Sequence, residues 1–558
     1  MQESSAFLIL RWLAHLWLLG WAVLPVSRRI FRNLPDGGLA AGRLLGLVVS
    51  TLLLFWGASL HVMPLSLSPI WLLGLPLLCA WIALRGTEPR REFFTWVKTH
   101  YRALLVSDAV MAAAFLFFLW LRMRHPEINE FEKPMDSAII GALARTQFLP
   151  ADNPWFSGVP FTNYYYFGHL MGALLTRLLA TPLPAAYNLI VATFCALFLT
   201  TLWSLAAALT GSLRRGVLAM AMVGLLSHFE PLRRILEAAA THRPGGLWPP
   251  DATAWWSTSR VIENTINEYP LFTMALGDLH AHFFALSLAA LYFCLCYALF
   301  VPNIALESLG SRFPPFTQRG LIVFLLGMML GVFVLTNTWD TPLYGLLGLW
   351  CIVWTARKDR RQLPWAVLPL PLALFVALPY LRLFQAQVKG AHLEIWSPPA
   401  ASFWLLWGGF LVLWLAILPA RLELKSDRLC FAMATLALLT MALLARPYAS
   451  LLSVVAVLGL TAFAFLRPQA AAPDEVMEPA PDDKRRTAET RKSERRKKSR
   501  KRQPAQPLAA ELKAEPPPSH REDARRFRGA LAVLGLLALL APMLFYIVGF
   551  FSGDLRHQ

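Results

Sequence analysis

Long apolar runs constrain the fold of this chain more than any other feature of its sequence. Runs of about 20 residues, each long enough to cross about 30 Å of hydrocarbon as a helix, recur along most of the 558 residues. Only 15% of the residues are charged, whereas a soluble protein of this size carries about 25%. The sequence therefore predicts an all-α polytopic membrane protein and argues against a soluble all-α protein with a very large core.

The apolar runs predict about fourteen transmembrane helices, with a range of about 12 to 16. The predicted spans are residues 6–25, 39–60, 65–84, 103–121, 186–209, 216–229, 283–301, 320–337, 341–356, 364–384, 401–420, 429–445, 447–467 and 529–551. We divide the chain accordingly into N-terminal helices (1–102), a core (103–345), C-terminal helices (346–467), a basic segment (468–527) and a last helix (528–558).

The distribution of Lys and Arg predicts the topology. Residues 167–181 form an apolar run of fewer than 18 residues that His169 and Arg177 interrupt, so we expect an interfacial or partly inserted helix there. If that helix does not cross the bilayer, most basic loops and the basic tail share one side, which must be cytoplasmic. The loops 122–185 and 230–282 and the turn 337–340 then lie outside.

The net charge of +18 reflects this topology and does not indicate nucleic-acid binding. Residues 484–502 alone hold twelve Lys and Arg residues against Glu489 and Glu494. The segment 468–527 is rich in Pro, Ala, Lys and Arg, which is typical of a disordered cytoplasmic linker. Its basic run is suited to resting on anionic lipid, and a solvated linker that reinforces topology explains it equally well.

The first outer loop carries an acidic cluster of Glu127, Glu130, Glu132 and Asp136. On a helix Glu132 and Asp136 share one face, so they can hold a divalent ion together, or one of them can act as a base with a raised pKa. A hydrated acidic collar at a helix end is the alternative. Three consecutive tyrosines, 164–166, follow at the depth of the membrane interface, where they suit either an aromatic belt or the binding of sugar rings.

The second outer loop ends with Asp278, His280 and His282, which are spaced by two residues. In an extended stretch all three side chains point one way as a ligand set, whereas a helix that begins at Asp278 leaves Asp278 and His282 on one face. Such groups at the threshold of a membrane helix are costly unless they are used. Asp340 in the third outer turn faces the same side and is also typical of a helix N-cap.

Seven ordered motifs, EKPMD, DNPW, NYYYFGH, WWSTSRVI, NEYPLF, GDLHAH and NTWD, resemble the prokaryotic YYY-domain (DUF2298-like) integral membrane protein family. That family is similar to the GT-C superfamily of membrane glycosyltransferases, which use polyprenyl- or dolichyl-phosphate-linked sugars. The resemblance implies a GT-C-like arrangement in which outer loops carry the site, in the plasma membrane of a prokaryote. The positions of this chain that are comparable to the first outer loop of GT-C enzymes are Asp136, Ala144-Arg145, Asp152 with Trp155, and Tyr164–Tyr166.

The chain departs from this pattern twice. A Tyr run stands where GT-C enzymes have Pro-Pro, and the sequence stops after residues 529–551, where family members continue. We therefore expect a short variant, a truncated product, or a split gene in which a separate chain supplies the remaining C-terminal region as a partner.

The leading hypothesis is a GT-C-like glycosyltransferase that takes its sugar from polyprenyl phosphate. Asp136 is predicted to be the general base, or a ligand of a divalent cation, at the acceptor hydroxyl, and Glu132 supports it. The expected cofactor is a divalent cation such as Mg²⁺ or Mn²⁺. The residues predicted to bind the metal ion or the lipid phosphate are Asp278, His280 and His282. The predicted substrate-binding residues are Arg260, Tyr164, Tyr165, Tyr166, His169, Glu268 and Asp340. Two alternatives remain: a lipid or solute transporter or flippase, and a non-catalytic membrane scaffold.

Overall fold

A computed structural model describes most of the chain as helix. The described residues are 5–226, 228–240, 256–263, 265–301, 318–357, 360–385, 390–393, 398–417, 431–433, 435–436, 448–466, 526–529, 531, 545–548 and 556–557. The predicted basic segment 468–527 lies almost wholly outside these residues, as does the predicted span 429–445. Residues 526–529 are helical, and Phe527 is buried against Tyr297 and Phe300.

Sixteen α-helices can be assigned within the described residues, in keeping with the helix-rich fold that the apolar runs predict. They are α1 (Ser5–Ile30), α2 (Leu39–Ser59), α3 (Leu75–Ala83), α4 (Thr87–Arg122), α5 (Lys133–Arg145), α6 (Phe167–Leu178), α7 (Leu183–Thr210), α8 (Leu213–Ala221), α9 (Phe229–Ala240), α10 (Pro270–Leu276), α11 (Ala281–Phe300), α12 (Gln318–Thr336), α13 (Asp340–Ala356), α14 (Pro369–Leu381), α15 (Ala400–Ile417) and α16 (Ala449–Leu466). Short 3₁₀ or π segments lie at Leu65–Leu67, Ile70–Gly74, Met222–Leu226 and Arg360–Ala366.

Eight helical segments of the described part of the chain are long and apolar enough to cross a membrane. Each coincides with one of the predicted spans. They are Ser5–Ile30, Leu39–Ser59, Leu65–Ala83, Thr87–Arg122, Leu183–Thr210, Ala281–Phe300, Arg319–Thr336 and Leu363–Leu381. Apolar helices of 17 or 18 residues, α13, α15 and α16, occupy three further predicted spans.

Two predicted spans differ from the structure. Helix α8 and the π segment after it end at Leu226, and α9 begins at Phe229, so residues 216–229 are not one spanning helix. This break is explained by two polar residues, His228 and Glu230, and by Pro231, which is tolerated in the first turn of a helix but not in its interior. Residues Phe545–Val548 form a strand inside the predicted last helix, because their aromatic and β-branched side chains suit strand structure.

Four short strands form two pairs. The strand β1 (Thr265–Ile266) is parallel to β4 (Arg556–His557), and β2 (Gly390–Leu393) is antiparallel to β3 (Phe545–Val548). The backbone N–H of Gln385 also donates to the carbonyl of Thr162, 3.1 Å away. The segment after α14 therefore lies beside the first outer loop, a neighbour that the sequence did not reveal.

Helix α6 occupies the segment on which the predicted topology depends. Its twelve residues span about 18 Å, which is too short to cross the hydrocarbon layer. Ten consecutive residues, 167–176, are buried, so the helix packs inside the protein and does not rest on its surface. The observed length agrees with a helix that does not cross, and the assignment of sides stays a prediction.

The core is one large hydrophobic cluster to which α1, α2, α4, α6, α7, α11 and α12 all contribute. Helix α4 passes without interruption through the predicted division at residue 102. The N-terminal helices and the predicted core therefore pack as one body.

A buried polar network joins α1, α2, α4 and α7 at the end of the bundle remote from the outer loops. The carboxylate of Asp36 is fully buried and accepts hydrogen bonds from the backbone N–H groups of Gly38 and Ala40. It also accepts from the hydroxyls of Ser107 (3.1 Å) and Ser204 (2.7 Å). Nearby, the buried guanidinium of Arg43 donates to the carbonyl of Leu16 and pairs with Asp108 at 2.5 Å.

Candidate functional site

A buried ion pair brings the first and second outer loops together. The Lys133 Nζ atom, in the first turn of α5, lies 3.0 Å from Asp278 Oδ1, and the side chains are only 4% and 10% exposed. Lys133 Nζ also lies 4.9 Å from the centroid of the Phe131 ring. Sequence reasoning did not select Lys133. One sequence feature could have identified it: Lys133 is a lysine on the predicted outer side of the membrane, where the positive-inside rule disfavours basic residues.

The turn that carries Asp278 is held from two sides. The Tyr187 hydroxyl on α7 accepts a hydrogen bond from the N–H of Leu279 and donates one to the carbonyl of Gly277, each at 3.1 Å. Gly277 adopts a φ of +67°, and a Cβ there would lie 2.9 Å from Arg122 Cδ. Glycine is therefore required both by the backbone conformation and by the close approach of α4.

Asp136 is the most deeply buried acid of this region. Its side chain is fully buried, and Oδ1 lies 2.9 Å from the Nε2 atom of His169 on α6. Its Oδ2 atom makes no hydrogen bond within the described part of the chain. Because Asp136 lies one turn after Lys133 on α5, the ion pair of Lys133 also sets its position relative to Asp278.

Two carboxylates and two histidines form a continuous chain of contacts. The Glu132 Oε2 atom lies 3.1 Å from His280 Nε2, and the Glu268 Oε2 atom lies 2.8 Å from His282 Nε2. The Nδ1 atoms of the two rings face each other at 2.9 Å. The Thr273 hydroxyl donates to Glu268 at 3.2 Å. The first and second outer loops thus share one cluster of titratable groups.

The electrostatic environment of these carboxylates differs from one to the next. Burial, together with the charges of Asp136 and Asp278, raises the pKa of Glu132 to about 7. Burial also raises the pKa of Asp278, although the charge of Lys133 opposes the rise. For Glu268 burial favours a higher pKa, but the hydrogen bond and charge of His282 outweigh it, so that its pKa is lowered.

The comparison with family models decides the family of the chain. A model described as an uncharacterized membrane protein family, DUF2298, matches residues 49–557, which include every residue of this cluster. The chain belongs to the DUF2298 family. This confirms the resemblance that the seven motifs carry. No curated protein and no solved structure matches the chain.

The three consecutive tyrosines of this DUF2298 protein have different surroundings. The Tyr164 ring centroid lies 5.7 Å from that of His280 and 6.1 Å from that of His169, so Tyr164 borders the cluster. Tyr165 stacks on Phe384. Tyr166 is 6% exposed and packs against Phe55, Phe161 and Tyr380. We therefore keep Tyr164 as a candidate for substrate contact and assign Tyr166 a packing role.

Arg260 and Asp340 lie at the edge of the same cluster. The Arg260 guanidinium is 4.2 Å from the ring centroid of Trp256, which stacks on Phe131, and it interacts electrostatically with Glu268. Asp340 accepts a hydrogen bond from the Asn337 side chain at 3.1 Å and lies within electrostatic range of His282. The third outer turn therefore reaches the site from the α12–α13 side.

The expected three-residue metal ligand set is not assembled in the DUF2298 protein. Helix α11 begins at Ala281 with His280 as its N-cap, so neither the extended nor the Asp278-capped arrangement is present. The Asp278 carboxylate turns instead to Lys133. Among the described residues no group of three or more His, Cys, Asp or Glu side chains is placed to hold a metal ion.

Proposed function

We propose that this DUF2298 protein is a membrane glycosyltransferase of the GT-C type that uses a polyprenyl-phosphate-linked sugar on the outer face of the membrane. The observation that carries the proposal is Asp136. It is fully buried, His169 holds one of its oxygens at 2.9 Å, and the other oxygen makes no hydrogen bond to the described residues. A carboxylate oriented in this way is suited to accept the proton of an acceptor hydroxyl.

The reaction needs a proton acceptor and a cation at separate points. The acceptor oxygen forms a bond to the anomeric carbon as its proton passes to Asp136, and the bond from that carbon to the phosphate oxygen breaks. The polyprenyl phosphate leaves with the bonding electrons. Arg260, over the Trp256 ring at the edge of the site, is the cationic side chain suited to the phosphate, because Lys133 is already paired with Asp278.

The membrane setting supports a lipid-linked donor. The acidic and histidine side chains lie at the ends of apolar helices α11 and α13 and beside the buried helix α6. A donor with a polyprenyl tail can keep that tail in the bilayer while its phosphate reaches these helix ends.

The Asp136→Asn variant tests the proposal, because an amide is nearly isosteric but neither takes a proton nor carries the charge. We expect sugar transfer in membranes supplied with lipid-linked sugars to fall by about 10² to 10⁴-fold, the usual contribution of a general base. Expression and membrane insertion should stay close to those of the unmodified chain. Glu130→Gln, in the same loop, is the matched control and should retain transfer.

Two outcomes would count against the proposal. Full activity of Asp136→Asn would remove Asp136 as the base. If the unmodified chain consumes no lipid-linked sugar, even with a second chain that supplies the further C-terminal family region, the glycosyltransferase proposal falls as a whole.

A lipid or solute transporter is the second candidate, and the Arg43–Asp108 pair is the observation that favours it. Charges between membrane helices are costly and often mark a transport path. Transfer of lipid-linked sugar across proteoliposomes that depends on Asp108 and is unaffected by Asp136→Asn would favour transport. Loss of glycosyl transfer in Asp136→Asn, with no movement of the donor across the bilayer, would favour the enzyme. A scaffold would show neither effect.

A further inference from the structure

Helix α3 ends on the side of the bundle remote from the candidate site. The helical segment Leu65–Ala83 begins beside the first outer loop, because the N–H of Leu65 donates to the carbonyl of Gln147, 2.8 Å away. Its other end lies beside the end of α1, where the Arg29 guanidinium donates to the carbonyl of Ala83 at 3.4 Å. The turn that follows leads into α4.

Three guanidinium groups meet at this end of α3. Arg90 Nε donates to the carbonyl of Leu84, the residue after the Ala83 that Arg29 contacts, at 3.0 Å. Arg85 follows directly, and all three arginines are exposed. An arginine side chain has five N–H donors. Each carbonyl contact therefore holds a guanidinium in place and leaves its other N–H groups for a ligand.

The acids of this turn do not neutralise the three arginines. Glu92 is already paired with Arg28, at 3.1 Å. Glu88, in the first turn of α4, is exposed. None of the three arginines forms an ion pair with a described carboxylate. The cluster therefore carries a net positive charge and is suited to an anion, because guanidinium groups bind phosphate through several N–H groups at once.

The surface of α3 next to the arginines is apolar and exposed. Trp81 and Ile82 are 59% and 58% exposed, and Leu77 and Leu78 are exposed one turn earlier. The Arg85 guanidinium lies 5.5 Å from the centroid of the Trp81 ring, so the charged cluster and the apolar face are continuous. This face belongs to a segment apolar enough to cross the membrane. A free anion would not contact it, whereas the acyl chains of a phospholipid can lie along it.

We infer that the end of α3 is a binding site for an anionic phospholipid, whose phosphate contacts Arg29, Arg85 and Arg90 and whose acyl chains lie along α3. Basic pockets between membrane helices on the cytoplasmic side bind such head groups, and this turn lies on the side predicted to be cytoplasmic. The site is at the opposite end of the bundle from Asp136, so it does not rest on the proposed function. It is also separate from the basic run 484–502, which lies outside the described residues.

The experiment measures lipid binding by the full chain and uses no sugar substrate. The chain is purified in detergent, freed of bound lipid, and titrated with phosphatidylglycerol, and native mass spectrometry measures the bound fraction. Parallel titrations use phosphatidylcholine with the same acyl chains, and inorganic phosphate is added as a competitor. We expect phosphatidylglycerol to bind more tightly than phosphatidylcholine, and inorganic phosphate at the same concentration to leave its binding unchanged.

Substitution of the arginines tests the site directly. We expect phosphatidylglycerol binding to weaken about fivefold for each of Arg29→Gln, Arg85→Gln and Arg90→Gln, and about 100-fold for the triple variant. Arg124→Gln is the matched control, because Arg124 lies over the Trp120 ring, 5.8 Å from its centroid, at the other end of α4. Every variant retains residues 484–502, so binding by that segment is the same in each. Thermal unfolding checks that each variant remains folded.

Four results would overturn the inference. The first is equal binding of phosphatidylglycerol and phosphatidylcholine by the unmodified chain. The second is a folded triple variant that binds phosphatidylglycerol as tightly as the unmodified chain, which would leave the arginines only the role of capping the end of α3. The third is competition by inorganic phosphate at the same concentration, which would assign the cluster to free phosphate. The fourth is binding that is lost only when residues 484–502 are neutralised.

Discussion

Lys133 Nζ lies 3.0 Å from Asp278 Oδ1, and this nearly buried pair joins the start of α5 to the turn before α11. The two residues are far apart in the chain, and each comes from a different outer loop. The ion pair therefore sets the distance between Asp136, one turn along α5, and the histidines that follow Asp278.

Breaking this pair from one side should destabilise the protein strongly. Lys133→Met leaves the Asp278 charge buried without its cation, which typically costs about 3–5 kcal/mol. We expect a clear fall in the thermal unfolding temperature in detergent. The double variant Lys133→Met Asp278→Asn should recover part of the loss, and Lys98→Met, at an exposed position of α4, should change little. Equal stability of the Lys133 and Lys98 variants would contradict a structural role for the pair.

The Gly277→Ala substitution tests the geometry of the turn. The φ of +67° and the contact with Arg122 Cδ both oppose a side chain there. A strained left-handed backbone costs about 1–2 kcal/mol, and the added contact with Arg122 increases that cost. We therefore expect Gly277→Ala to lower the thermal unfolding temperature. Gly158→Ala is the control, since it also has a positive φ but its Cβ would meet nothing within 4 Å. A Gly277→Ala protein no less stable than Gly158→Ala would show that the close approach is absent.

Substitution of Asp36, at the end of the bundle remote from the candidate site, should reduce the stability of the protein strongly. Its buried carboxylate accepts four hydrogen bonds, from two backbone N–H groups and two serine hydroxyls. Hydrogen bonds to a charged group are worth about 1.5–3 kcal/mol each, and Asp36→Ala leaves their donors unsatisfied. We expect a marked loss of folded protein by size-exclusion chromatography. Glu88→Ala, an exposed acid in the first turn of α4, is the comparison. Wild-type yield of Asp36→Ala would show that the network contributes little.

Cysteine accessibility in sealed cells tests the predicted sides of the membrane. In a chain whose native cysteines are replaced, cysteines at the exposed positions Ser157 and Glu263 should react with a membrane-impermeant reagent added from outside. Cysteines at Lys98 and at Lys497, which lies outside the described residues, should react only after the cells are opened. Labelling of Lys98→Cys in sealed cells would reverse the topology.

The sequence predicts the spans better than the contacts between loops. Eight helical segments coincide with predicted spans because each was encoded locally as an uninterrupted apolar run. The breaks at His228 and at Phe545–Val548 were missed because hydropathy alone does not register a helix-starting proline or a strand partner. The strand partner of Phe545–Val548 is Gly390–Leu393, more than a hundred residues away.

In the candidate site, too, the residues could be predicted from the sequence but the contacts between them could not. Glu132, Asp136, Asp278, His280 and His282 could be selected because charged groups at the ends of membrane helices are unusual. The contacts between these residues could not be predicted from the sequence. Whether Asp278 contacts a histidine or Lys133 depends on how α5 packs beside α11. The three consecutive tyrosines show what the sequence alone does not reveal. They are identical in type, yet Tyr164 lies beside His280 whereas Tyr166 packs in the aromatic core.

Helix α4 is a single rod of 36 residues, about 54 Å long. Near its middle, Ser107 and Asp108 bind the inner network, while at its outer end Arg122 donates to Asn188 and to the carbonyl of Glu127. A rod fixed at both places cannot slide along its axis without displacing both sets of partners. The buried polar network around Asp36 is thus mechanically linked through one helix to the loop that leads into α5, so a displacement of either is transmitted to the other without a moving loop.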